Sequence, residues 1–290
     1  MIVAKEWKDY TVIDTGDGMK LERWGDVMLS RPDPQVIWPK SRPGQWQNAD
    51  AVYSRSSSGG GEWSQYSQMP KNWNVKWRDL KFQIKLMGFK HTGLFPEQAA
   101  NWEWMMRRIT AYKGPFKVLN LFGYTGGATL ACAKAGASVV HVDASKGMVG
   151  QCKENAKISG LANANIRYIV DDAFKFVERE IRRGNIYQGI IMDPPSYGRG
   201  PNGQIWKIET SIHQLVENCT KLMDKSSDFM LINSYTTGLQ PTVMENIMKM
   251  NIKLKGEFTA DEIGLPQEKS NIILPCGCSA RWEAKKEFKK

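Results

Sequence analysis

The sequence predicts an α/β protein: a doubly wound, mostly parallel seven-stranded sheet ending in an antiparallel hairpin, preceded by a small β-rich domain. Three observations predict it. From about residue 96, apolar strands alternate with amphipathic helices, the pattern of parallel strands joined by crossover helices. Before residue 92 the apolar runs are short and alternating, divided by Gly-Asp and Pro-Asp turns. At the end, "GEFTADEIGLP" and "NIILPCGCSARWEAKK" follow one another with no helix between them. The expected domains are 1–92 and 93–290, and 290 residues suffice for two cores.

In the first domain Val12, Leu21, Val27, Leu29, Val36 and Ile37 recur at strand-like spacing. "SRSSSGGGEWSQYSQ", 54–68, is polar and glycine-rich and is expected to be a mobile loop. "FPEQAANWEWMMRRITAY" reads as a helix with Pro96 in its first turn, where the missing N–H costs nothing. Strands are then expected at about 116–122, 138–143, 165–170, 188–193 and 228–234. Helices are expected at about 126–136, 146–160, 172–183, 209–223 and 241–251.

The formal charge is +10. It is uneven: residues 71–113 hold nine Lys/Arg against Asp79, Glu97 and Glu103, interleaved with Trp73, Trp77, Phe82, Phe89, Trp102 and Trp104. Cations neutralise phosphates and flat aromatics stack on unpaired bases, so this stretch suits nucleic acid; a solvated face over a tryptophan-rich core is the plainer alternative. No apolar run is long enough for a membrane helix, and the first residues lack a secretory leader, so a cytoplasmic protein is expected. The five cysteines show no metal spacing. Cys132, Cys152 and Cys219 sit in helical patterns as small buried hydrophobes. His91, His141 and His213 are scattered, and His141, inside the second strand, reads as a core residue rather than a base.

Ligands of a doubly wound sheet bind at the carboxyl ends of its strands, where the strand order reverses. The first strand ends in "FGYTGG", where Gly123, Gly126 and Gly127 let the backbone come close to a ligand. Twenty residues past Gly123 the second strand ends on Asp143, whose carboxylate can accept from both hydroxyls of a ribose. The G-x-x-G-G spacing is not the G-x-G-x-x-G of a nicotinamide dinucleotide site. The third strand runs into "DDAFKF", with Asp171 and Asp172 for an adenine amino group and Phe174 to cover the ring. The fourth ends in Asp193-Pro194-Pro195, whose prolines fix an extended turn and free its carbonyls.

Together "LNLFGYTGG", "VDAS", "DDAFKF" and "DPPSYGRG" resemble the class I S-adenosylmethionine-dependent methyltransferases, of Rossmann-like fold. Within them the chain is similar to the bacterial 23S ribosomal RNA large-subunit methyltransferase group. The resemblance covers about residues 93–290. It implies S-adenosyl-L-methionine as cofactor, held by Gln98, Phe122, Gly123, Thr125, Gly126, Asp143, Ala144, Asp172, Ala173 and Phe174. It implies catalysis at Asp193, Pro194, Pro195 and Tyr197, and ribosomal RNA as partner. Arg199 and Lys207 would hold phosphates and Trp206 would close over the site; a solvated loop with Trp206 as its apolar anchor is the alternative.

The group's 5-methylcytosine makers use a cysteine thiolate. Here the fifth strand ends in Asn233, Ser234 and Tyr235, and Cys276 and Cys278 fall on the last hairpin. A base nitrogen is therefore the expected target, with cysteine-assisted 5-methylcytosine formation, a nicotinamide oxidoreductase and a non-catalytic RNA-binding protein as alternatives.

Overall fold

Alternating strands in the first third and apolar strands joined by helices afterwards build two compact units. The structure, a computed structural model, describes residues 1–56, 60–199 and 205–285, without the side chain of Arg199. Its compact units are Ile2–Ala100 with Gly264–Cys276, and Asn101–Ile263 with Gly277 onward, the latter also taking Met1. The sequence reading set the boundary at residue 92 and gave the whole last hairpin to the second domain; the hairpin tip instead clusters with the first unit.

The first unit contains β1 (Ile2–Val3), β2 (Tyr10–Gly16), β3 (Met19–Trp24), β4 (Val27–Pro32), β5 (Ala51–Arg55), β6 (Gly61–Gln65), β7 (Trp73–Trp77) and β8 (Leu80–Ile84). Five of these form one sheet in the order β2-β3-β4-β5-β6, antiparallel except for β4 and β5. β7 and β8 form a separate hairpin whose Val75, Trp77, Leu80, Phe82 and Ile84 are buried. Two expectations are corrected here. Residues 54–68 are not one loop: β6 pairs with β5 as an edge strand, and Trp63 donates its indole N–H to the Met87 carbonyl. Its polar composition misled because an edge strand buries little. Val36 and Ile37 lie in no strand: Pro34 and Pro39 interrupt the pairing, and Ile37 is 90% exposed.

The second unit begins with α1 (Ala99–Ala111), after a 3₁₀ turn at Pro96–Gln98. Then come β9 (Lys117–Leu121), α2 (Gly127–Lys134), β10 (Ser138–Asp143), α3 (Lys146–Ile158), β11 (Ile166–Val170), α4 (Ala173–Arg182) and β12 (Gly189–Met192). A small hairpin of β13 (Tyr197–Arg199) and β14 (Ile205–Lys207) precedes α5 (Ile208–Thr220), β15 (Phe229–Ser234), α6 (Pro241–Asn251), β16 (Gly256–Pro266) and β17 (Ile273–Ala284). The strands named here run in the order β16-β17-β15-β12-β9-β10-β11 within an eight-stranded sheet. β15, β12, β9, β10 and β11 are parallel and β17 antiparallel, as expected. Ser145 caps α3, its hydroxyl accepting from the Met148 N–H, and Asp172 caps α4 by accepting from Lys175. α4, α5 and α6 cover one face through Phe176, Leu215, Val216, Met244 and Met248. On the other, Cys132 of α2 lies 4.0 Å from the Met105 sulfur of α1. Cys132, Cys152 and Cys219 are buried, as their helical patterns suggested. Among the described residues no helix is long and apolar enough to cross a membrane.

Candidate active site

Chain order reverses at β9: the chain leaves it toward β10 and β11, then returns to its other side at β12. The crevice at a doubly wound sheet's carboxyl edge opens at such a point. Hydrogen bonds between neighbouring strand ends stitch this rim. The Gly123 N–H donates to the Val142 carbonyl at 3.0 Å, and Asp171 to the Asp143 carbonyl at 3.1 Å. Asp193 donates to Leu121 at 3.5 Å. The turns after β9, β10, β11 and β12 therefore lie side by side.

Asp143 is held by two backbone donors. One oxygen accepts from the Tyr124 N–H at 2.9 Å, the other from the Ser145 N–H at 2.8 Å. Burial raises its pKa, and these two donors oppose the rise. A carboxylate offers about four acceptor positions, so two remain, enough for the two hydroxyls of a ribose. Asp172, the α4 cap, accepts from the Lys175 N–H at 3.0 Å and likewise keeps acceptor capacity. Its neighbour Asp171 is ion-paired to Arg179. Phe174 is half-buried beside it, and Ala173 is buried in the first turn of α4. Ala144 is exposed next to Asp143. The donor set therefore fits an adenosine-bearing ligand: a fixed carboxylate for the ribose, a second for an exocyclic amine, and an aromatic ring beside it.

The glycine turn owes its composition to the protein beneath it. A Cβ on Gly123 would lie 2.4 Å from the His141 ring, one on Gly126 2.2 Å from the Cys152 sulfur, and one on Gly127 2.5 Å from Trp102. Gly126 also has a φ of 92°. His141 belongs to a buried polar group that the sequence reading missed as support for the site. Asn120 donates to the Thr129 hydroxyl at 2.8 Å, and that hydroxyl lies 2.8 Å from His141 Nδ1. Asn155 donates to the Thr125 carbonyl at 2.9 Å, and Thr125 itself is buried. Burial pulls the His141 pKa down to about 4, so the imidazole is neutral. The signal was available: Asn120 and His141 are polar residues inside apolar strands, and they sit opposite each other in register.

At the fourth strand end Asp193 is half-buried, Pro194 buried and Pro195 exposed. The Pro195 carbonyl accepts from the Trp206 indole N–H at 2.6 Å. Trp206 is only 9% exposed, its ring 5.0 Å from Phe122 and 6.0 Å from Phe174. The tryptophan expected to close over the site is thus an interior anchor for the β13–β14 hairpin, because its indole finds an apolar pocket and an acceptor there. Tyr197 is 50% exposed and pairs in register with exposed Lys207. The side chain of Arg199 lies outside the described residues. Gln98 is buried in the first unit's last turn, where its N–H donates to the Phe95 carbonyl. At the end of β15, Asn233 accepts from Asn101 and Ser279, so both it and Ser279 are engaged in the core. Cys278 is 4% exposed and its thiol is pushed up to about 11 by burial; burial raises Cys276 as well.

Comparison with known proteins gives the family. The family model of S-adenosylmethionine-dependent methyltransferases matches residues 45–221. The structure superposes on the S-adenosylmethionine-dependent methyltransferase of Agrobacterium tumefaciens with a TM-score of 0.94 and 34% identity, covering 98% of this chain and 93% of that one. Curated relatives include ribosomal RNA large subunit methyltransferase I of Photobacterium profundum, 31% identical over 44% of this chain and 32% of that protein. Ribosomal RNA large subunit methyltransferase K/L of a Shewanella species is 25% identical over 85% of this chain and 33% of that protein. The chain spans about a third of the length of these curated relatives. By the family model over residues 45–221 and the match along nearly its whole length to the Agrobacterium tumefaciens enzyme, this chain belongs to the S-adenosylmethionine-dependent methyltransferases.

Proposed function

We propose that the chain methylates a nitrogen of an RNA base, with large-subunit ribosomal RNA as substrate and the cytoplasm as its place of work. The names of the curated relatives support the RNA, as does the formal charge of +10. The observation that carries the choice of nitrogen is the state of the thiols. Carbon-5 methylation of cytosine needs a thiolate, whereas burial raises the pKa of all five cysteines.

Bound S-adenosylmethionine supplies an electrophilic methyl group, so the chain has to hold, orient and exclude water. In this reading Asp143 would accept from the ribose hydroxyls and Asp172 from the adenine amine, with Phe122 and Phe174 as the aromatic residues beside them. Backbone of Gly123, Thr125, Gly126, Ala144 and Ala173 lines the turn. The Asp193 carboxylate and the Pro194 carbonyl would accept from N–H groups of the flipped target base and turn the nitrogen lone pair toward the methyl donor, and the proton the nitrogen sheds on methylation would pass to the Asp193 carboxylate. Tyr197 stacks on that base, and Lys207 takes a flanking phosphate.

The test is nucleoside mass spectrometry of large-subunit RNA from cells lacking the gene, incubated with the protein and a labelled methyl donor. Label in an N-methylated base is expected. Label on cytosine carbon 5, or none on RNA, overturns the proposal.

A further inference from the structure

We propose that the turn Gly88–Lys90 of the first unit is a second RNA contact, in which Phe89 stacks on an unpaired base of the substrate; this rests on the RNA reading above. Phe89 has φ 56° and ψ 36°, and Lys90 follows with φ 63°. Two successive non-glycine residues in the left-handed region are strained and persist only where the surroundings enforce them.

The surroundings do enforce them. The Met87 N–H donates to the His91 carbonyl at 3.0 Å, and the His91 N–H to Gly88 at 3.2 Å. Trp63 donates to the Met87 carbonyl at 2.8 Å. Arg31 donates to the Lys90 carbonyl at 3.0 Å, and the Lys90 ammonium to the Pro32 carbonyl at 2.7 Å. Arg31 is itself held by both oxygens of the fully buried Glu22, at 2.6 and 2.7 Å. The clamp leaves the Phe89 ring 71% exposed. Folding alone gains nothing by straining a backbone to hold an apolar ring in water.

Charge indicates what the ring meets. Burial, then the cations Lys20, Arg31 and Arg55 against the Asp33 carboxylate, pull the Lys90 ammonium down to about 8. A flat apolar face among cations matches a base with its phosphate, because every base offers a ring face and every nucleotide a negative charge. An apolar protein patch would have no use for the cations.

Anisotropy with a labelled single-stranded RNA, at one fixed salt concentration, tests this on the full chain. Phe89→Ala should weaken binding by roughly 5- to 100-fold, and Phe89→Trp should keep it within about twofold. Calorimetry should show S-adenosylmethionine binding unchanged in both. On RNA made abasic throughout, the parent and Phe89→Ala should bind alike. Equal binding of base-bearing RNA by the parent and Phe89→Ala overturns the stacking contact but leaves the RNA reading standing, and points to a protein partner for the ring. A loss that persists on abasic RNA also overturns stacking. If the parent binds no RNA, both proposals fall.

Discussion

Phe89 and Lys90 in the first unit, and Phe122 and Tyr124 in the second, are left-handed residues on turns, with φ between 49° and 63°. Each turn stands on a buried polar cluster, and the two clusters have opposite chemistry. Under the first, Glu22 is ionised and pairs with Arg31, with the Tyr10 hydroxyl donating to it at 2.7 Å. Burial opposes its charge, but Arg31 and Lys20 prevail and hold its pKa near 2. Under the second, Asn120, Thr129 and His141 are neutral. An ionic clamp can hold a turn against strain at any physiological pH. A neutral support adds no positive charge beneath a rim that receives a sulfonium.

The comparison breaks most visibly at Glu22. Glu22→Ala leaves Arg31 buried without its carboxylate and should cost about 3–5 kcal/mol in chemical denaturation; a cost below about 1 kcal/mol would mean the clamp is incidental. Acid should separate the clusters next. The folded pKa of His141 is lowered from 6.5 to about 4, so the unfolded chain takes up the proton first. Its contribution is complete above pH 6.5 and is lost as pH falls toward 4, up to about 3 kcal/mol. Glu22 stays ionised through that window. His141→Gln should flatten the acid limb of the stability curve between pH 6.5 and 4; an unchanged limb refutes the assignment to His141.

A smaller effect is expected at the rim. Asp143→Ala should weaken S-adenosylmethionine by roughly 10- to 100-fold in calorimetry, the worth of charge-assisted hydrogen bonds to two hydroxyls. The finest test couples turn and support. Gly123→Ala forces its Cβ against the His141 ring, and adding His141→Ala should relieve about 1 kcal/mol of that cost in a double-mutant cycle. Strict additivity would show that the glycine does not rest on the histidine.

What the sequence revealed follows from how local each signal is. The parallel strands and their helices were legible because period-2 and period-3.6 patterns are written in consecutive residues. The rim acids were legible because a strand end followed by a helix cap is local too. Glu22–Arg31 and Asn120–His141 are pairings across neighbouring strands, and each residue alone looks like an ordinary polar position. Trp206 was readable as aromatic but not as inward-facing, since its acceptor is a carbonyl eleven residues earlier. β6 was hidden for a different reason: an edge strand rich in serine, glutamine and glycine has a loop's composition.

The last hairpin ties the cores together in chain order. Past its first residue the chain changes unit after Ala100, Ile263 and Cys276. The Gln267 side chain bonds to Thr15 and Asp14, the Glu268 N–H to the Val12 carbonyl, and Ala4 to Gly264. A fragment cut at residue 100 would therefore lose a strand tip from its own interior. Neither core can be excised, swapped or grafted as a single continuous segment, and a transplant of the front module has to carry two separate stretches of chain.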